Sequence, residues 1–210
     1  MIEVQTIQVG ELDTNCYIVT DTETEDIAIV DPGDISKKIQ KVAQRYAEKI
    51  KYILLTHGHF DHIAYAKYLQ NTTNAKTVIS KIDEPLLRDN MLNLAIPFDG
   101  RPVPEIQADI TLQDNDTLPF GNTEIKFLLT PGHTKGSGCF IIENHLFTGD
   151  TLMKLSIGRT DLPNGDIGEM RNSLRRLAKL KQNYKVYPGH GNLSDMAYEK
   201  MYNPYLNSVI

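Results

Sequence analysis

The 210-residue chain has no tryptophan and only two cysteines, Cys16 and Cys139. Each cysteine sits among apolar, strand-like residues and neither lies in a ligand-like pair, so a single disulfide is the lesser reading and a cysteine-built zinc site is disfavoured. The expectation is two buried free thiols in a reducing compartment. No apolar run approaches the ~20 residues that cross a bilayer, and the opening MIEVQTIQVG is too polar for a secretory leader. No membrane partner is therefore expected, and the reading is a cytoplasmic protein. Surplus cationic charge is missing as well: 22 Lys and Arg stand against 27 Asp and Glu, for a formal net charge of -5. Such a balance does not suit general binding to a phosphate backbone, and no nucleic-acid partner is expected. Linkers, repeats and low-complexity tracts are absent too, which leaves one domain over residues 1–210, long enough for a substantial core.

What is present reads as strands and helices in two groups. Short β-branched or apolar runs at residues 2–9, 16–20, 27–30, 52–55, 76–80, 110–112, 124–129, 138–142, 145–147 and 186–187 predict strands. Helical spacing joins Ile35, Ile39, Val42, Ala43 and Tyr46 behind a capping Asp34, and then Ile63, Ala66, Tyr68 and Leu69. Further helices are predicted over residues 84–94, 170–180 and 195–201. In the second of these, Leu174, Leu177 and Leu180 form a stripe with the cations outside, as in a solvated amphipathic helix. Glu143-Asn144 marks a hairpin turn. Residues 95–108, with Pro97, Pro102 and Pro104, read as an irregular excursion, either a functional wall or a decoration. Two strand groups with attached helices predict a mixed α/β fold of two facing sheets.

The stretch LLTHGHFDHI, residues 54–63, crowds His57, His59, Asp61 and His62 into one turn after a strand. A solvated turn with Asp61 as a helix cap would account for one histidine, but not for three at this spacing. Imidazole nitrogens beside carboxylate oxygens suit Zn²⁺ or Fe²⁺ better than Mg²⁺ or Ca²⁺. Further ligand types stand at other strand ends: His133 in LLTPGHTKGSG, Asp150 in HLFTGDTL and His190 in VYPGHGNL. Glycines beside them let the backbone approach closely. His145 lies in a hairpin without that context and reads as a surface or structural residue.

The motifs THGHFDH, GHT, GDT and PGHG, in this order, resemble the metallo-β-lactamase superfamily over essentially the whole chain. The resemblance implies a four-layer αββα sandwich with a dinuclear metal centre at one edge. By motif position, His57, His59 and His133 would hold the first metal, Asp61, His62 and His190 the second, and Asp150 would bridge them. The implied cofactors are two divalent metal ions, zinc foremost, with iron or manganese as alternatives. A metal-bridging hydroxide would be the nucleophile, with Asp61 in the catalytic role of orienting it. Thr56, Thr134, Ser137 and Thr151 are candidates to orient ligands by hydrogen bonds, or else turn and cap residues.

The segment TGDTLMKLSIGRTDLPNGD, with HTKGSG before it and PGHGNLSDMAYEKMYNPYL after, is similar to the small glyoxalase II-like hydrolases. That likeness implies hydrolysis of a small-molecule thioester such as S-lactoylglutathione. It also places Arg159 as a substrate-binding residue, an internal ion pair with Asp161 or Asp166 being the other reading. About twenty residues follow His190, so the C-terminal helical glutathione-binding domain of full-length glyoxalase II is not expected. Ala64 stands where many relatives carry glycine. The GRTD run also resembles persulfide dioxygenases, whose single iron would sit on His57, His133 and Asp150. A lactonase or other acyl hydrolase is a further alternative. A non-enzymatic metal-binding module is disfavoured, because seven ligands around two metals leave coordination positions open. Monomer and homodimer are both compatible with the sequence.

Overall fold

Strand β3 (Ile27–Val30) has four buried residues in a row, because both its faces are covered. Ala28 and Val30 turn to one side, and Ile27 and Ile29 to the other. That alternation organises the whole chain, which a computed structural model describes over residues 1–209.

Two six-stranded sheets form. The first runs β1 (Ile2–Val9), β2 (Thr14–Asp21), β3, β4 (Ile50–Leu54), β5 (Lys76–Ser80) and β6 (Ile110–Leu112) in chain order. It is antiparallel from β1 to β3 and parallel from β3 to β6. The second contains β7 (Thr117–Phe120), β8 (Thr123–Leu129), β9 (Gly138–Ile142), β10 (His145–Gly149), β11 (Lys185–Pro188) and β12 (Ser194–Asp195), again in chain order. Only its β10–β11 pair is parallel.

Parallel neighbours need crossovers, and helices supply most of them. Helix α1 (Lys37–Tyr46) joins β3 to β4, the short α2 (Phe60–Ile63) and α3 (Ala66–Thr72) join β4 to β5, and α4 (Ile167–Ala178) joins β10 to β11. Two more, α5 (Met196–Tyr202) and α6 (Pro204–Asn207), follow β12. Three apolar layers result. Tyr17, Val30, Leu54 and Val78 meet Phe120, Phe127, Phe140 and Phe147 between the sheets. Ile39, Ala43, Ile63 and Leu69 cover the outer face of the first sheet, and Met170, Leu174, Leu177, Met196 and Leu206 that of the second. The architecture is the expected αββα sandwich, and both cysteines are buried and free. Among the described residues no helix is long and apolar enough to cross a membrane.

Several local expectations are corrected. The predicted helix over residues 84–94 shrinks to a 3₁₀ turn, Glu84–Leu87. Asp89 accepts the amides of Met91 and Leu92, and Asn93 donates to the carbonyl of Leu86, so side chains take over backbone groups a helix would use. Helix α1 is capped by Ser36, whose hydroxyl accepts from Lys38; Asp34 instead accepts from Ile35. The helix expected through Ile63 and Leu69 is broken in two where the Tyr65 amide donates to the Pro32 carbonyl. Strand β7 adds to the predicted strands, and its Pro119 is tolerated since β7 is an edge strand.

Candidate metal centre

Four strands end at the same edge of the sandwich and deliver one group each. THGHFDH follows β4, His133 follows β8, Asp150 follows β10 and His190 follows β11. The carboxyl ends of strands are where an α/β sheet can point several loops at one place.

All seven predicted ligands converge there. His57, His59 and His133 form one trio whose ligand atoms lie within 4.8 Å of one another, and Asp61, His62 and His190 form a second. His59 Nδ1 is 2.9 Å from His133 Nε2, and His62 Nε2 is 3.3 Å from His190 Nε2. Asp150 lies between the trios: its carboxylate is 3.5 Å from His133 Nε2 and 3.6 Å from both His62 Nε2 and His190 Nε2. Asp61 Oδ2 is 3.4 Å from His62 Nε2 and 3.3 Å from His190 Nε2, and accepts the Thr14 hydroxyl at 3.1 Å.

The imidazoles are held from behind. His133 Nδ1 donates to the carbonyl of Arg159 at 2.7 Å, and His190 Nδ1 to that of Leu12 at 3.0 Å. His62 Nδ1 donates to Asp31 at 2.9 Å, and His57 Nδ1 rests on the Thr56 hydroxyl at 3.1 Å, which itself donates to Asp31. In each of these four rings Nδ1 is tied outward and Nε2 is left for the centre, which fixes both tautomer and orientation. Gly189 makes room: a Cβ there would lie 2.1 Å from Asp150 Oδ1.

The two halves differ electrically. Burial, and then the neighbouring imidazoles, push His57 far below its ordinary value and His59 down to about 3. Burial also opposes the protonated form of His62, yet Asp61, Asp31 and Asp150 together hold it up at about 10. His190 is raised likewise, burial being outweighed chiefly by its bond to Asp61 and the charge of Asp150. Asp61 stays well below the usual carboxylate range despite its burial, through His62 and His190. One half therefore offers the neutral imidazoles of His57 and His59, and in the other His62 carries a proton in a place that favours a cation.

The residues fit a metal. His57 Nε2, His59 Nε2 and Asp150 Oδ1 are buried with no hydrogen-bond partner among the described residues. Unpartnered buried polar atoms cost ~1–3 kcal/mol each, and imidazole with carboxylate is a donor set for Zn²⁺ or Fe²⁺. This is a metal-binding His/Asp site.

Other expected residues fall into different places. Thr56 supports His57 directly. Thr134 acts at one remove, donating to Asp83 at 2.6 Å and sharing a bond with Ser137. Thr151 pairs with Thr130 and touches no ligand side chain. His145 is buried and bonded to the Tyr187 hydroxyl at 2.9 Å, a structural role. Arg159 is exposed, and both Asp161 carboxylate oxygens hold its guanidinium at 2.8 Å.

Three supports escaped the sequence reading. Asp31 steadies His62 and Thr56. Asp83 accepts the amides of Gly58 and Gly136, bracketing the turns that carry His57 and His133. Asn15 reaches from β2 to the Pro188 and Gly191 carbonyls, while its amide donates to the Gly189 carbonyl, so it fastens the His190 loop. Asp31 and Asp83 each follow a strand end, the same positional signal that marked Asp150.

The centre opens onto a cavity of about 390 Å³ lined by His59, Asp61, His133, Asp150 and His190 together with apolar side chains.

Comparison with known proteins adds the family and the fold's relatives. Residues 9–190 match the Metallo-beta-lactamase superfamily. The crystal structure of the BLEG-1 B3 metallo-beta-lactamase superposes with a TM-score of 0.89 at 31% identity, covering 98% of this chain and 99% of that one. The structure of TTHA1623 in a di-iron-bound form has a TM-score of 0.82 at 31% identity, over 96% and 100% of the two chains. The hydroxyacylglutathione hydrolase GloC of Haemophilus influenzae is 31% identical over 99% of each chain.

Proposed function

From the premise that this chain belongs to the metallo-β-lactamase superfamily of metal-dependent hydrolases, we propose that it hydrolyses a thioester to a carboxylic acid and a free thiol. The observation that carries the reading is a seven-residue centre of two trios, with Asp150 between them, facing one open cavity. S-lactoylglutathione or a related thiol conjugate is the substrate class first to be tried, given the full-length similarity to GloC.

His57, His59 and His133 would hold one divalent cation, Asp61, His62 and His190 the other, and Asp150 both. Zinc is the first choice for this donor set, and iron is compatible with it. When bound, such cations supply a Lewis acid and water acidified to a pKa near 7. The chain's own part is orientation. Asp31, Thr56 and the carbonyls of Leu12 and Arg159 fix four imidazoles. Asp61, partly buried and held below the usual carboxylate range, would orient the attacking water. Arg159 at the rim would grip a substrate carboxylate in exchange for Asp161. Orienting partners on His62 and His190 favour two cations over the single-iron alternative, since a disused second half would need none.

The test is metal content measured together with two assays, S-lactoylglutathione hydrolysis and oxygen uptake with a persulfide. Two metals with thioester hydrolysis are expected. One iron with oxygen uptake and no hydrolysis would replace this reading with persulfide dioxygenation.

A further inference from the structure

The excursion over residues 95–108 carries a conformational signature of its own. Leu94 adopts φ = 71°, a left-handed conformation that costs a side-chain-bearing residue ~1–2 kcal/mol. A single π-helical turn, Ala95–Asp99, follows it. Such turns interrupt regular structure and recur at functional sites. The segment is not loosely hung. Asn93 is fully buried, its side chain bonded to the Leu86 carbonyl and the Ala95 amide, and its own carbonyl accepts the amide of Phe60 inside the metal-binding motif at 2.9 Å. The strained turn is thus bolted to the centre, and it delivers Phe98, 57% exposed, to the cavity.

Phe98 meets carbon there. Leu12 comes from the turn between β1 and β2, Leu94 from the same segment as Phe98, and Met153, Ile157 and Leu162 from the loop after β10. Leu12 is 53% exposed, and the last three are only partly buried, so this apolar surface faces solvent beside the ligands. The Arg159 guanidinium at its rim is already engaged by Asp161. A second cleft of about 420 Å³ meets the first at Leu12, Phe60, Asp61 and Phe98; beside Pro102, Val103 and Pro104 it carries the charges of Glu11, Asp34, Asp99 and Arg101. Of the two grooves that reach Asp61, only the first also reaches His59, His133, Asp150 and His190, so it is the one that can hold a chain attached to a group at the centre. A lactoyl group would leave most of that surface uncovered.

We propose that the carbon-lined cavity takes an uncharged, apolar acyl chain of several methylenes, and that Phe98 determines this specificity. This rests on the hydrolase reading above. Burial of each methylene in a half-open groove raises kcat/KM about two- to threefold, so acetyl and hexanoyl differ by on the order of tenfold or more.

The experiment uses the zinc-loaded protein and N-acetylcysteamine thioesters of acetate, butyrate, hexanoate and octanoate. Rising kcat/KM along the series is expected, with Phe98→Ala flattening the slope and Phe98→Leu restoring most of it. A flat or falling series, or an unaltered slope in Phe98→Ala, overturns the proposal. Calorimetric titration of the same protein with the free carboxylates, acetate to octanoate, separates the two readings. Affinity that grows with chain length and depends on Phe98 upholds the apolar site even if no thioester is turned over, whereas equal affinities for all four acids refute it.

Discussion

The two trios at the metal centre, one of three histidines and one of two histidines with Asp61, present opposite electrical faces. His57, His59 and His133 are all buried, and no carboxylate belongs to their trio. Asp61, His62 and His190 include a carboxylate, lean on Asp31 and Asp150, and are more open, with His190 25% exposed at its side chain. Burial dominates the first group and strips protons from His57 and His59. Charge dominates the second and keeps a proton on His62 to about pH 10. Burial against charge therefore separates a half in which His57 and His59 are neutral from one in which His62 must first release a proton.

Loss of a ligand should break the comparison most severely. His59→Ala or Asp150→Ala removes a group from the centre whose charge stabilisation is worth several kcal/mol, so turnover should fall by on the order of 10³-fold. Circular dichroism should show the fold intact, and unchanged activity in either variant would contradict the assignment. Next comes Asp31→Asn, which sets an amide N–H against either the Thr56 amide or the Thr56 hydroxyl and the His62 ring. Metal affinity should drop about 10–100-fold, as for other supports of ligating histidines. Metal content after dialysis would reveal it.

Acidity should then separate the halves. His62 keeps its proton below about pH 10 in the metal-free protein, so a cation entering its trio expels it. Affinity there should rise about tenfold per pH unit for each proton expelled, and fall as pH drops from 8 to 6. His57 and His59 are already neutral over that range and release none. Competition with a chelator at several pH values should give one pH-steep and one flatter metal equilibrium. The smallest effect belongs to Arg159→Ala. Its exposed pair with Asp161 is worth about 0–1 kcal/mol, so melting should be unchanged. KM for a carboxylate-bearing thioester should rise up to about fivefold at constant kcat; a loss in kcat alone would argue against a binding role.

The motifs made the ligands legible because each lies at a strand end with glycine or threonine beside it, and the same periodicities outlined both sheets. What stayed hidden depends on distance along the chain. Asp31 meets Thr56 across 25 residues and His62 across 31, and Asp83 meets Thr134 across 51. No local pattern announces such pairs, so single aspartates read as ordinary loop residues. The lost helix over residues 84–94 has a local cause, since Asp89 and Asn93 bind backbone that apolar spacing assigns to a helix. Leu94 and Phe98 were invisible for a related reason: a left-handed residue followed by a π-helical turn obeys neither the helical nor the strand period.

The bond between β2 and the His190 loop has a consequence in time. His62 and His190 are separated by 128 residues, and Asn15 fastens that loop across an even longer span. Contacts of such sequence separation carry a large loop-closure entropy. A chain emerging from synthesis holds THGHFDH long before residue 190 exists, and cannot close the centre with it. Capture of a metal by the complete centre would require THGHFDH, which follows a strand of the first sheet, and His190, which follows a strand of the second, to be in place together.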